Sequence, residues 1–231
     1  MKRCLSLIIA IIIISILFCQ IPITCVASPM DAQGETAIIN NQFTIKEIVI
    51  TQRKSEDAEK FLWETLNNYT NNEKLTAGIM GYFYRESSYN SNSVAGLYLS
   101  GPEFEKEESQ RFLESIDAGL EDGSTKEKFI TKVKYQYGGY GLGQWCAMSY
   151  LDSFYDFAQE WGTSIADAEM QCAFTVQSIK NHPTELWDLI KDEENVEQIG
   201  RYIGIFYDGS PNGAEIMAGY AIKIYEKYGT Q

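Results

Sequence analysis

From Ser55 onward the apolar positions recur at helical spacing. Ala58, Phe61, Leu62, Leu66 and Tyr69 mark one face of a first helix. Ser55 can cap it, and Glu56 and Asp57 sit where a positive dipole end favours acids. Asn71-Asn72 reads as a turn. A second helix then carries Leu75, Ile79, Met80 and Phe83, with Ala77, Gly78 and Gly81 small enough to let a neighbouring helix approach closely. Glu86 follows Phe83 by three residues and so falls on or beside the buried face.

The pattern breaks between residues 97 and 136. Gly101-Pro102 opens an acidic helix over 103–116, and Gly119, Gly123 and Ser124 interrupt the chain again. This stretch reads as an insertion rather than core, its charge run forming a solvated face. Helices return with Leu151, Phe154, Phe157, Ala158 and Trp161, closed by Gly162. Ser164-Ile165-Ala166-Asp167 reads as a capping box for a helix with Ile165, Ala168, Cys172, Val176 and Ile179. Thr184 can cap a short helix with Trp187 and Ile190, and Val196, Ile199, Ile203 and Phe206 mark another. The loop Tyr207–Gly213 leads to a last helix with Ala214, Met217, Ala218, Ala221, Ile222 and Tyr225. With no fixed-period repeat and no Pro-rich linker, residues 55–231 read as one mainly α domain.

The start of the chain differs. Lys2 and Arg3 precede an apolar run from Leu5 to Phe18, and Cys25-Val26-Ala27 precedes Ser28. Residues 1–27 therefore read as a secretory signal peptide, or as a membrane anchor if uncleaved. The apolar run is short against the roughly 20 residues that span a bilayer. Residues 28–54 read as a linker, with 43–50 as a short strand. The expected location is outside the cell or on its surface, with membrane contact only through an uncleaved leader. Removing the leader leaves Cys146 and Cys172, an even pair in an oxidising compartment; whether they form a disulfide is left open by the sequence.

Composition removes several function classes. The net charge of −13 argues against nucleic acid. His182 is the only histidine, so no multi-histidine metal site and no His-Glu-x-x-His motif is available; no metal or other cofactor is expected. No nucleophile-elbow or phosphate-loop motif occurs, and the glycines at 138, 139, 141 and 143 lack the strand-to-helix setting of a dinucleotide site.

Glu86 is the best candidate for chemistry. Cleaving a glycosidic bond requires protonating a poor leaving oxygen, which a carboxylic acid does near neutral pH only from a semi-apolar setting. Tyr82, Phe83, Tyr89 and Trp145 could wall such a setting. The bland alternative is that Glu86 pairs with Arg85 or lies in solvent. The run Tyr137–Trp145 has two readings as well. Its glycines could let backbone approach a ligand while Gln144 and the tyrosine hydroxyls bond sugar groups; or it is a glycine turn with its aromatics packed in the core.

Three segments together resemble the phage tail lysozyme family, within the wider lysozyme-like (goose-type and lytic-transglycosylase-like) fold. They are Arg85-Glu86-Ser87-Ser88-Tyr89-Asn90, then Asn92-Ser93-Val94-Ala95-Gly96, then Gly139-Tyr140-Gly141-Leu142-Gly143-Gln144-Trp145. Gly162–Ile165, Asp167 and Met170-Gln171 fit its second half, so the resemblance spans about 56–228. It implies a helical domain with a cleft, and a peptidoglycan glycosidase that cuts between N-acetylmuramic acid and N-acetylglucosamine. By the same resemblance Glu86 is the catalytic acid, with Ser87 beside it, Gly141 and Gln144 lining the cleft, and Tyr207-Asp208 in a late loop near Glu86. Tyr89, Tyr140 and Trp145 complete the expected substrate contacts. The long stretch from Val94 to Tyr140, and Phe206-Tyr207-Asp208-Gly209 in place of a Phe-Glu-Arg-Pro-like run, depart from the family pattern. A hydrolase would need a second carboxylate, for which Asp208, Asp152 and Glu103 are candidates; a lytic transglycosylase would need only one. The rivals are a non-catalytic wall-binding protein and an amidase or endopeptidase built on Cys146 and His182. Peptidoglycan strands are the expected partner, and a monomer is expected.

Overall fold

The structure, a computed structural model, describes residues 55–94 and 102–230. The leader, the linker with its short strand, and the start of the expected insertion lie outside the described residues. Regular structure among the described residues is helical, apart from isolated bridges that join Val94 to Tyr140 and Tyr140 to Trp145. No helix among them is long and apolar enough to cross a membrane.

Two helices open the domain, α1 (Ser55–Thr70) and α2 (Glu73–Ser87). The chain turns between them at Asn71, and the Asn72 side chain caps α2 by accepting from the N–H groups of Lys74 and Leu75 at 3.0 Å. Helix α2 is the axis of the molecule. Every residue from Leu75 to Phe83 is buried, because α1, α8 (Val196–Tyr202) and α9 (Pro211–Tyr228) surround it. Two glycines allow this. A Cβ at Gly78 would lie 2.4 Å from Ile199 of α8, and one at Gly81 would lie 2.4 Å from the Met217 carbonyl of α9.

The middle of the chain forms α3 (Pro102–Asp117) and α4 (Lys126–Lys132), and α4 widens into a π-helical turn over Val133–Tyr137. The reading of 97–136 as lying outside the core is corrected from Phe112 onward. Phe112, Ile116, Leu120, Phe129, Val133 and Tyr137 are buried, and Phe112 and Phe129 pack edge-on against Tyr140. The acidic face of α3 does face solvent, with Glu107, Arg111 and Glu114 exposed. A helix can be charged on one side and core on the other, and charge density hid the second property.

Helix α5 (Met148–Trp161) ends at Gly162, and α6 (Ala168–Lys180) starts from Asp167, whose carboxylate accepts from the Met170 N–H at 2.9 Å. The cap is thus Asp167 rather than Ser164, and Ile165 is buried ahead of the helix. Short α7 (Leu186–Ile190) has no side-chain cap, because Thr184 is engaged with His182. Helix α8 runs into a second π turn, Ile203–Tyr207, before Ser210 caps α9.

Candidate active site

Helix α2 delivers Glu86 in its last turn and then stops abruptly. Ser88 takes a left-handed conformation (φ 50°), returning its N–H to the Tyr84 carbonyl, and Tyr89 follows at φ 69°. This fixes the carboxylate one turn beyond Tyr82 and Phe83, with only 2% of its side chain exposed. A buried carboxylate needs a partner, and Arg85 supplies it through Nη1. The same nitrogen donates to Asp208 at 3.2 Å, and Nη2 donates to the Ser210 hydroxyl at 3.3 Å. One guanidinium therefore gathers two carboxylates from opposite ends of the domain.

Asp208 reaches this position because of the π turn. Its N–H bonds the Ile203 carbonyl five residues back at 3.0 Å, which shifts Tyr207 and Asp208 relative to a continuing α-helix. Gly213 then leaves room for the arginine, since a Cβ there would lie 2.6 Å from Arg85 Nε. Burial raises the Asp208 carboxyl above the ordinary aspartate range, and the Arg85 charge offsets part of that rise.

Tyr207 joins this cluster to the Gly-rich turn. Its hydroxyl accepts from Trp145 Nε1 at 3.2 Å and shares a hydrogen bond with Ser178 at 2.5 Å. Its ring meets Tyr82 and Tyr150 edge-on, with centroids 5.4 and 5.5 Å apart. Tyr82 donates to the Gly143 carbonyl at 2.5 Å, so α2, the turn over 140–145 and the late loop meet here.

Of the residues singled out from the sequence, Glu86 and Asp208 converge on Arg85, and Trp145 and Tyr207 bond each other. The others have structural contacts. Ser87 donates to the Phe83 carbonyl at 3.1 Å and so steadies the helix end. Tyr89 is buried edge-on to Tyr84. Tyr140 is wholly buried, its hydroxyl on Asn92 at 3.1 Å. Gly141 packs against Gln171 and Trp145, and Gln144 donates to the Ser93 and Gly141 carbonyls at 3.1 and 2.9 Å. Asp152 pairs with Lys126 at 3.1 Å, and the Glu103 side chain lies outside what is described.

No disulfide joins Cys146 and Cys172. Cys172 is wholly buried on α6, while Cys146 lies half-buried just ahead of α5. His182 is half-buried, its Nδ1 2.7 Å from the Thr184 hydroxyl and its ring edge-on to Tyr207. Burial lowers its pKa. No group of three or more His, Cys, Asp or Glu side chains among the described residues could hold a metal ion.

Sequence reasoning weighed Arg85 only as a rival to catalysis, and missed Ser210, Gly213, Tyr150 and Ser178 altogether. Adjacency marks the Arg85–Glu86 pair, but nothing local ties Arg85 to residues more than a hundred positions away.

Comparison with curated proteins and with solved structures returns no match. The family model for phage tail lysozyme matches residues 57–228, which runs from the first turn of α1 to the end of α9 and takes in every residue of the site. That family implies peptidoglycan-lytic activity, and the chain belongs to the phage tail lysozyme family.

Proposed function

We propose that this protein is a glycosidase that cuts the β-1,4 bond between N-acetylmuramic acid and N-acetylglucosamine in peptidoglycan, with Glu86 as general acid. The observation that carries the reading is the convergence of Glu86 and Asp208 on one arginine nitrogen. Glycoside hydrolysis uses two carboxyl groups, one to protonate the leaving oxygen and one to stabilise the sugar cation or activate water. Asp208 is the second carboxylate in this reading. Asp152, held in an ion pair with Lys126, is not needed.

The resting arrangement suits storage of the acid rather than its use. An arginine on Glu86 favours the ionised form, whereas the reaction needs a proton on it. Substrate entry has to part the Arg85–Glu86 contact. Nη1 already touches Asp208, so a small movement leaves the guanidinium on Asp208 alone. Glu86 is then an uncompensated acid in an apolar site and takes up a proton, while Asp208 keeps its counter-charge. The proton passes from Glu86 to the glycosidic oxygen as the bond from C1 to that oxygen breaks. Water then adds at C1, and its proton returns to the carboxylates. The leader read in the sequence supports action outside the cell.

Mass analysis of muropeptides released by wild type and by Asp208→Asn tests the hydrolytic form of the reading. The expected result is reducing ends from wild type and activity at least about a hundredfold lower in the variant. Products with 1,6-anhydro ends, made equally well by Asp208→Asn, would instead identify a lytic transglycosylase working with Glu86 alone.

A further inference from the structure

The late loop offers Arg85 more than a carboxylate. Nη1 donates to Asp208 at 3.2 Å, and Nη2 donates to the Ser210 hydroxyl at 3.3 Å. The same Ser210 oxygen accepts from the Gly213 N–H at 3.1 Å as the cap of α9. A serine oxygen has two acceptor sites, and both are used here. Gly213 gives the guanidinium its space, since a Cβ there would lie 2.6 Å from Nε and 2.8 Å from Cζ. The loop is itself held in place. The N–H groups of Asp208 and Ser210 bond the Ile203 and Gly204 carbonyls of the π turn at 3.0 and 2.9 Å. Residues 208, 210 and 213 thus form one seat for the guanidinium.

Two effects work against that seat. Glu86 is buried more deeply than Asp208, and a charge farther from water gains more from a counter-ion. The N-terminus of α9 is the positive end of an 18-residue helix and repels a cation. On these two effects alone the guanidinium would stay with Glu86, the arrangement that keeps the acid ionised. Ser210 places an oxygen between Arg85 and the first turn of α9, which turns a repulsion into a shared hydrogen bond. We infer that Ser210 is a positioning residue for the acid: its hydroxyl holds Nη2 beside α9, so that Nη1 can leave Glu86 for Asp208 when substrate enters. The inference rests on the glycosidase reading for the role of Glu86, and on the seat for the role of Ser210. Ser210 acts through Arg85 and takes no proton itself; it fixes the pivot about which the guanidinium turns.

The test compares Ser210→Gly, Ser210→Ala and Ser210→Thr with wild type in the full-length protein. Glycine serves nearly as well as serine at a helix N-cap and alanine does not, so Ser210→Ala should lose more stability than Ser210→Gly. Both changes remove the hydroxyl. In both, kcat for peptidoglycan should fall about tenfold with KM within about twofold, as for one charge-assisted hydrogen bond that matters only after substrate is bound. Ser210→Thr keeps the hydroxyl and the cap, so its kcat should stay within about threefold of wild type. A second readout does not depend on activity. Rotation about the Arg85 Nε–Cζ bond exchanges Nη1 with Nη2, and nitrogen NMR measures that rate, the signals being assigned by their loss in Arg85→Lys. Exchange should be about tenfold faster in Ser210→Gly and Ser210→Ala. Exchange and kcat unchanged in Ser210→Gly, or a kcat that follows stability and falls in Ser210→Ala alone, overturns the inference. If Glu86→Gln is inert while exchange is unchanged in Ser210→Gly, the glycosidase reading stands and the role of Ser210 falls. If exchange speeds up as expected while Glu86→Gln digests peptidoglycan as fast as wild type, the hold of Ser210 on Arg85 stands and the glycosidase reading falls.

Discussion

Arg85 holds one buried and one partly buried carboxylate, with 19% of its own side chain exposed against 2% for Glu86 and 13% for Asp208. Removing one partner of a buried charge cluster costs more than the cluster contributes, since the remaining charges are left without compensation. Arg85→Met is therefore expected to lower the stability at pH 7 by about 3–5 kcal/mol in urea unfolding. The loss should shrink with acid. Without the arginine the Asp208 carboxyl has a folded pKa above its unfolded one, so the penalty is present at neutral pH and is relieved as pH falls through the raised value. Asp208 already shows that direction with Arg85 in place. A penalty that grows on acidification would contradict this pairing. Glu86 was legible in the sequence because its burial follows from helical spacing after Phe83. Its partnership with Asp208 was not, because the shared nitrogen is a fact of tertiary packing between residues 123 positions apart.

Helix α2 was legible almost throughout. Its apolar run, its small residues and the turn before it each point to a helix enclosed by others, and Gly78 and Gly81 meet α8 and α9 as expected. Gly81→Ala should destabilise the domain by about 1–3 kcal/mol through overpacking against the Met217 carbonyl. Gly219→Ala, on α9 with nothing within 4 Å of the added carbon, should stabilise it by about 0.5–1 kcal/mol through helix propensity. Thermal unfolding of the two variants side by side checks the contrast, and equal shifts would mean that α2 and α9 are not in close contact. The π turns were not legible. One extra residue in a turn leaves the apolar spacing almost unchanged, yet it sets where Tyr137, Tyr207 and Asp208 point. Nor was the inward face of α3, whose glutamates dominate the local composition while Phe112 and Ile116 carry its packing.

Across the whole molecule, the aromatic core from Phe112 through Tyr140 and Phe154 to Phe174 ties the middle of the chain to its second half without a covalent link. Reductant should therefore leave the unfolding temperature unchanged. A half-buried Cys146 should react with a thiol reagent in the folded state, whereas Cys172, wholly buried and with its pKa pushed well up by that burial, should react only on unfolding. Comparing labelling of wild type with Cys146→Ser and Cys172→Ser checks this, and a temperature drop under reductant would restore the disulfide. The general shape, a mainly helical domain over the region the family matches, could be read from periodicity and motif together. The surroundings of Tyr207 could not, since Tyr150 lies on α5 and Ser178 on α6, and only packing brings them to one place.

The most direct measurement is the rate of peptidoglycan digestion by wild type and by Glu86→Gln, with both proteins shown to be folded by circular dichroism. If Glu86 protonates the leaving oxygen, the amide, which has no proton to give, should cut the rate by about 10²–10⁴-fold or more. Comparable rates from two folded proteins would remove Glu86 from the chemistry, and with it the catalytic roles of Arg85 and Asp208.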